Sequence, residues 1–281
     1  MIESSCLCGK VTWEIGGPLE FMSHCHCSRC RKAHGTPFAS LVAGPASSFQ
    51  MNGREHVTTW QSSPGLARGF CSHCGSVVPG DPWEGLTFVP AGNFTSDPGV
   101  RPLMHIFVAS KAPWYEISDA LPRFDAYPPG VDSPVLDDRP LLDPPGAPRG
   151  SCNCGGVGFI VQGKPIGAWY CHCSRCRKGR SAAHASNLFV AADGIRFTRG
   201  TDLIVSYKVP EAQRFTQSFC RICGAKTPRV DANRNRAGIP MGSLDDDPGF
   251  KPLAHIFVGS KAPWFEISGD LPQHEEYPPG F

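Results

Sequence analysis

The hexapeptide Cys25-His26-Cys27-Ser28-Arg29-Cys30 recurs unchanged as Cys171-His172-Cys173-Ser174-Arg175-Cys176, 146 positions later. Three thiols within six residues, present twice, have the spacing of metal ligands rather than of core packing. Other segments repeat around them. Cys6-Leu7-Cys8-Gly9 returns as Cys152-Asn153-Cys154-Gly155, and Cys71-Ser72-His73-Cys74-Gly75 as Cys220-Arg221-Ile222-Cys223-Gly224. His105-Ile106-Phe107-Val108 and Ser110-Lys111-Ala112-Pro113-Trp114 return as His255-Ile256-Phe257-Val258 and Ser260-Lys261-Ala262-Pro263-Trp264. The offset grows to 149 at the CxxC pairs and 150 at the histidines, as small loop insertions would produce. Internal repetition makes the architecture a tandem one.

Between the copies, residues 129–149 carry six prolines, four aspartates and no aromatic residue. Such a stretch builds no core and is expected to be a semi-extended linker. The expected domains are therefore 1–128 and 150–281, each large enough to bury a core. Twenty-eight prolines and 31 glycines break every candidate helix before three turns. Val11–Ile15, Val157–Val161, Leu203–Val209 and Arg214–Phe219 read as short strands,. The expected fold is all-β: two zinc-stabilised domains of small antiparallel sheets, with metal supporting thin cores.

Net charge of +2 excludes a partner held mainly by its own negative charge, such as nucleic acid or an anionic membrane,. No apolar run reaches membrane-spanning length,. Met1–Ser5 leads straight into the first cysteine motif without a secretion pattern, so the expected compartment is the cytoplasm,. Fourteen cysteines in that compartment indicate metal binding before disulfides,.

Each copy has seven cysteines, and seven is a closed site of four plus an open site of three,. Cys6, Cys8, Cys71 and Cys74, with Cys152, Cys154, Cys220 and Cys223, make up the expected structural quartets. Cys25, Cys27 and Cys30, with Cys171, Cys173 and Cys176, make up the open trios, for four zinc ions per chain. Spacing alone leaves other arrangements open. His26, His34 or a distant histidine can close a trio, and iron–sulfur binding or a redox disulfide are alternatives. Three thiolates outweigh the charge of zinc and make a poor activator of water, but they suit a fourth sulfur. The substrate expected is a thiol or a thiol adduct. The H-x-E and P-C-x-x-C pattern of zinc deaminases is missing, since Phe70 and Phe219 precede the CxxC pairs,.

Taken together, CxCG, CHCSxCR, FCxxCG and the His-Ile-x-Val-x-Ser-Lys-x-Pro-Trp tail resemble the glutathione-dependent formaldehyde-activating enzyme family, over nearly the whole chain, twice. The resemblance implies a zinc-stabilised all-β fold shared with a Rab-binding zinc chaperone. It implies structural zinc at the quartets and catalytic zinc at the trios. The implied activity is carbon–sulfur lyase chemistry that makes or breaks S-hydroxymethylglutathione, with glutathione as co-substrate. The copies differ after the trio: Gly35 stands opposite Ser181 and Phe38 opposite His184.

Arg29, Arg31, Lys32, Arg175, Arg177 and Lys178, with Arg180, put cations beside the trios and are candidate anchors for the carboxylates of glutathione, or else a solvated basic turn. His105 and His255 read as core histidines, Trp114 and Trp264 as packing anchors, and Asp97 and Asp247 as turn formers. A non-catalytic protein-binding module is the competing class. The chain is expected to be a monomer whose copies form an internal pseudo-dimer, with a small thiol/aldehyde adduct as its partner.

Overall fold

The computed structural model describes residues 1–136 and 140–278. In the first half the strands are β1 (Ile2–Ser5), β2 (Thr12–Ile15), β3 (Phe21–Cys25), β4 (Ala39–Pro45), β5 (Phe49–Asn52), β6 (Val57–Ser63), β7 (Leu66–Cys71), β8 (Val77–Val78), β9 (Leu86–Pro90) and β10 (Pro102–Ile106), with helix α1 (Ser28–His34) after β3. The second half runs β11 (Arg149–Ser151), β12 (Gly158–Val161), β13 (Gly167–Cys171), α2 (Ser174–Arg180), β14 (Ala185–Val190), β15 (Ile195–Arg199), β16 (Ile204–Lys208), β17 (Thr216–Cys220), β18 (Arg229–Asp231), β19 (Arg236–Pro240), β20 (Ala254–Ile256) and β21 (Gln273–His274). The fold is mostly β, in small sheets repeated in the two halves, as expected from the glycine and proline content. Neither helix exceeds two turns.

The two halves repeat the same connections. One sheet is β1-β2-β5 and its counterpart is β11-β12-β15. The central sheet is β10-β3-β4-β9 in the first half and β18-β19-β14-β13-β20-β21 in the second. In both, the strand that leads into the trio pairs antiparallel with the strand after the helix and parallel with the histidine-bearing strand: β3 with β4 and β10, β13 with β14 and β20. This register sets His105 opposite His24 and His255 opposite Tyr170. Alternation buries one face of β2 at Trp13 and Ile15, whereas β12 is buried on both faces, with Phe159 and Val161 in the core,.

The cores are not closed within the halves. The Ala-Pro-Trp segment of each copy packs in the core of the other. Ala262 and Trp264 lie with Trp13, Met22, Val42 and Val89, while Ala112 and Trp114 lie with Phe159, Leu188, Ile239 and Met241. Trp264 Nε1 donates to Ala91 O at 3.1 Å. The hairpins also cross: Trp60 packs on the Cys152 quartet, and Tyr207 on the core beside the Cys6 quartet. Helix α1 abuts the turn Met241–Ser243, and α2 abuts its equivalent Ala91–Asn93. At these contacts a Cβ on Gly92 would lie 2.0 Å from Ala182 N, and one on Gly242 would lie 2.3 Å from Thr36 N. Only hydrogen fits there, so the seam depends on both glycines.

Residues 131–136 and 140–148 of the expected linker form no helix or strand. Asp137, Asp138 and Arg139 lie outside the described residues, as do residues 279–281. The linker is tied down at Asp143, whose carboxylate accepts from Arg199 Nη1 at 2.7 Å and whose carbonyl accepts from Arg149. Among the described residues no helix is long and apolar enough to cross a membrane.

Candidate metal centres and a cavity beside one of them

All fourteen cysteines are free thiols, and they gather into four clusters. Cys6, Cys8, Cys71 and Cys74 form one, and Cys152, Cys154, Cys220 and Cys223 another, with all sulfurs within 4.8 Å of one another. Each CxC pair enters from the turn after the first strand of its half, and each CxxC pair from the end of the hairpin. Glycines complete the turns: Gly9, Gly75, Gly155 and Gly224 all have φ between 69° and 77°, a left-handed backbone that costs other residues more,. Val11 N–H points at Cys6 Sγ at 3.3 Å and Val157 N–H at Cys152 Sγ at 3.2 Å, the donors a thiolate wants from its surroundings,.

The quartets fit zinc on donor chemistry. A tetrahedron with bonds of about 2.3 Å has sulfurs about 3.8 Å apart. Neighbouring sulfurs here are 3.5 and 3.7 Å apart in the first quartet and 3.4 and 3.8 Å in the second. Four sulfurs this close cannot all be ionised without a cation among them. Hydrogen bonds from Cys71 and Cys74, then burial, push Cys6 up, whereas the neighbouring thiols hold Cys74 down. A divalent cation removes that conflict.

Cys25, Cys27 and Cys30 make the third cluster, and Cys171, Cys173 and Cys176 the fourth. The central cysteine caps a helix: Cys27 Sγ accepts from Cys30 N and Cys173 Sγ from Cys176 N, each at 3.4 Å. The helical turn thereby brings the third sulfur back to the first two. Among the described residues no histidine, cysteine or carboxylate adds a fourth donor to either trio. The histidines that could have closed them are engaged elsewhere. His34 Nδ1 lies 2.8 Å from Arg180 O, and His184 Nδ1 lies 3.3 Å from Ser186 Oγ. His26 Nε2 meets His105 Nδ1 at 2.8 Å, and the Asp119 carboxylate accepts from His105 Nε2 at 3.0 Å. His172 and His255 repeat the pair at 2.9 Å, but Gly269 stands where the first copy has Asp119. Burial, reinforced by His105 and nearby cations, pushes His26 down to about 3, and burial pushes His255 down to about 4.

The two lysines next to the trios are drawn into the seam, and most of the arginines bond within their own half. Lys32 Nζ lies 2.5 Å from the Asp245 carboxylate and 2.6 Å from Ser151 Oγ, both in the other half. Lys178 Nζ donates to Ser5 Oγ at 2.9 Å. Arg31 Nε donates to His26 O, Arg177 Nε to Ser260 O and Arg29 Nε to Ser62 O. Arg175 is exposed. Trp114 and Trp264 are buried in the cores; Asp97 and Asp247 each accept from the backbone N–H two residues on, at 2.9 Å, as turn formers do,.

The two trios differ in their surroundings. Arg68 Nη2 lies 3.5 Å from Cys30 Sγ. Ser28 and Cys30 are buried, whereas Ser174 is exposed and Cys176 half-buried. A cavity of about 190 Å³ opens beside the second trio, with Cys171 and Cys176 in its wall. Its rim carries Arg180, Arg214, Arg229, Arg234 and Arg236, with Asp231 as the one carboxylate among its lining residues. None of these arginines except Arg180 stands within a cysteine motif. The signal that could have found them is a comparison of the copies, in which they face His34, Gly65, Gly80, Glu84 and Leu86.

A family model described as glutathione-dependent formaldehyde-activating enzyme matches residues 1–110 and 147–260. Among solved structures, a protein of Rhodobacter sphaeroides is similar at 27% identity, covering 37% of this chain and 97% of that one with a TM-score of 0.30. No curated protein matches.

Proposed function

Since the chain belongs to the glutathione-dependent formaldehyde-activating enzyme family through both of its halves, we propose that it is a carbon–sulfur lyase acting on adducts of glutathione with an aldehyde. The observation that carries this reading is the pair of three-sulfur clusters without a fourth protein donor. Cys25, Cys27 and Cys30, or Cys171, Cys173 and Cys176, would hold zinc, and the two quartets would hold the structural ions. Bound there, zinc supplies a soft centre that favours the ionised form of an incoming thiol.

The chain's own contribution is position and charge. A ligand in the cavity at the second trio would have its sulfur beside Cys171 and Cys176 and its carboxylates towards the cations of the rim. In the forward direction a carbon–sulfur bond forms between thiol and aldehyde, and the thiol proton passes to the carbonyl oxygen. Cleavage reverses both transfers, so no oxidant or reductant is needed. Neutral, buried His26 and His172 brace the loop between the first two cysteines of each trio by their bonds to His105 and His255. The reduced thiols suit a cytoplasmic setting, and one chain supplies both copies of the domain,.

The test is turnover of S-hydroxymethylglutathione by the zinc-loaded chain. Cys27→Ser combined with Cys173→Ser should abolish cleavage while far-ultraviolet circular dichroism stays unchanged, because both quartets remain. Undiminished cleavage by that folded variant would remove the trios from the chemistry.

A further inference from the structure

We propose that the two trios have divided their roles: the second alone admits substrate, a thiol bearing at least two carboxylates read by Arg214, Arg229, Arg234 and Arg236, while Arg68 and its hairpin seal the first. This inference rests on the lyase reading and adds to it which half works and what recognises the ligand's charge.

The first observation is an exchange of cations between matching positions. At the 149-residue offset of the CxxC pairs, Arg68 corresponds to Gln217. Arg68 aims its guanidinium at Cys30, and Arg29 in the trio donates to Ser62 O on the same hairpin. That hairpin, β6–β7, therefore lies over the first trio, where Cys30 is 3% exposed. In the second half Gln217 turns away and donates to Cys74 O at 2.8 Å. Its departure leaves the Cys171 and Cys176 wall facing the cavity.

The second observation is the density of cationic side chains at that cavity, which five arginines and one carboxylate line. Arg229 pairs with Asp231 at 3.1 Å, while Arg214 and Arg234 stand exposed at the mouth. At the matching positions of the first half stand Gly65, Gly80, Glu84 and Leu86, so the cationic rim belongs to one copy only. Two buried polar groups on the lining also lack partners among the described residues: Arg180 Nη1 and Thr227 Oγ1, the latter in a residue 2% exposed. Orphaned buried donors are costly to a fold, and both belong to the wall of this cavity,. Guanidinium groups bind carboxylates in two-pronged fashion, and the sulfur cluster fixes the other end of the ligand.

The experiment is calorimetric titration of the zinc-loaded full chain with glutathione, with cysteamine as a thiol lacking carboxylates. We expect about one glutathione per chain and at least tenfold weaker binding of cysteamine. The double variant Arg214→Ala, Arg234→Ala changes two exposed side chains and should weaken glutathione at least tenfold without loss of zinc. Gln217→Arg should do the same by installing the seal of the first trio. Two equivalent sites, equal affinity for cysteamine, or wild-type affinity in the double variant would each overturn the division while leaving the lyase reading standing. Absence of both glutathione binding and adduct turnover would overturn the two together.

Discussion

Replacing Trp264 by alanine should unfold the half of the molecule to which Trp264 does not belong in sequence. Its indole is 1% exposed and packs among Trp13, Met22 and Val42, and its Nε1 donates to Ala91 O. Truncating a buried tryptophan costs about 3–5 kcal/mol, and losing its hydrogen bond adds about 1 kcal/mol. A total near 5 kcal/mol corresponds to a drop in melting temperature on the order of 10 °C for a chain this long. The partner residue supplies an internal control. Trp114 is equally buried, but its Nε1 has no hydrogen-bond partner among the described residues. Changing either tryptophan to phenylalanine removes similar volume, so Trp264→Phe should be less stable than Trp114→Phe by about 1–2 kcal/mol, the cost of the orphaned carbonyl. Hydrogen exchange read by peptide locates the effect: Trp264→Ala should raise exchange in β4 and β9, and Trp114→Ala in β14 and β19. If each variant loosened only the sheet of its own half, the crossed packing would be refuted.

Acid should destabilise the native chain through buried neutral histidines. Burial and the charge of Lys226 push His34 down to about 3, and burial with His255 does the same to His184. An unfolded histidine titrates near 6.5, so the unfolded form takes up the extra protons; stability is full above pH 6.5 and falls as pH drops towards 3, by about 1.4 kcal/mol per pH unit per histidine. His184→Phe, which copies Phe38 of the first half, should flatten the urea midpoint between pH 6.5 and 5 by one proton's worth; an unchanged slope would exclude His184. Gly92→Ala and Gly242→Ala force a methyl into backbone atoms across the seam and should each cost at least about 1–3 kcal/mol by urea denaturation,. Zinc measured by mass spectrometry on the purified chain should come to about four ions, and a count near two would leave the trios unmetallated.

Much of this was legible before any coordinate. The cysteine groupings follow from short ligand spacings, in which CxC and CxxC each bring two sulfurs to one point, and the twofold repetition carries the β architecture with it. The crossing of the tails was not legible, because burial of Trp114 and Trp264 can be read from their setting but not whose core receives them. The seam also explains the lysines. Next to three thiols, Lys32 and Lys178 read as substrate anchors, and the residues that claim them, Asp245, Ser151 and Ser5, lie more than a hundred positions away or in the opposite copy. The rim arginines carry no motif. They stand out only as positions where the second copy has arginine and the first does not, and their meaning needs the different ways the two hairpins meet their trios, Arg68 against Cys30 in one and an open cavity in the other.

The exchanged tryptophans also bear on how the protein is made. When the first 128 residues leave the ribosome, their core still lacks Ala262 and Trp264, the second of them 136 positions further on (264 − 128). At about 5–20 residues per second this is a wait on the order of 10–30 s during which the nascent N-terminal half has an unfilled groove. Early zinc capture by Cys6, Cys8, Cys71 and Cys74 would hold that half together in the interval. A chain truncated before Trp264 should therefore emerge metallated but prone to associate with the tails of its neighbours.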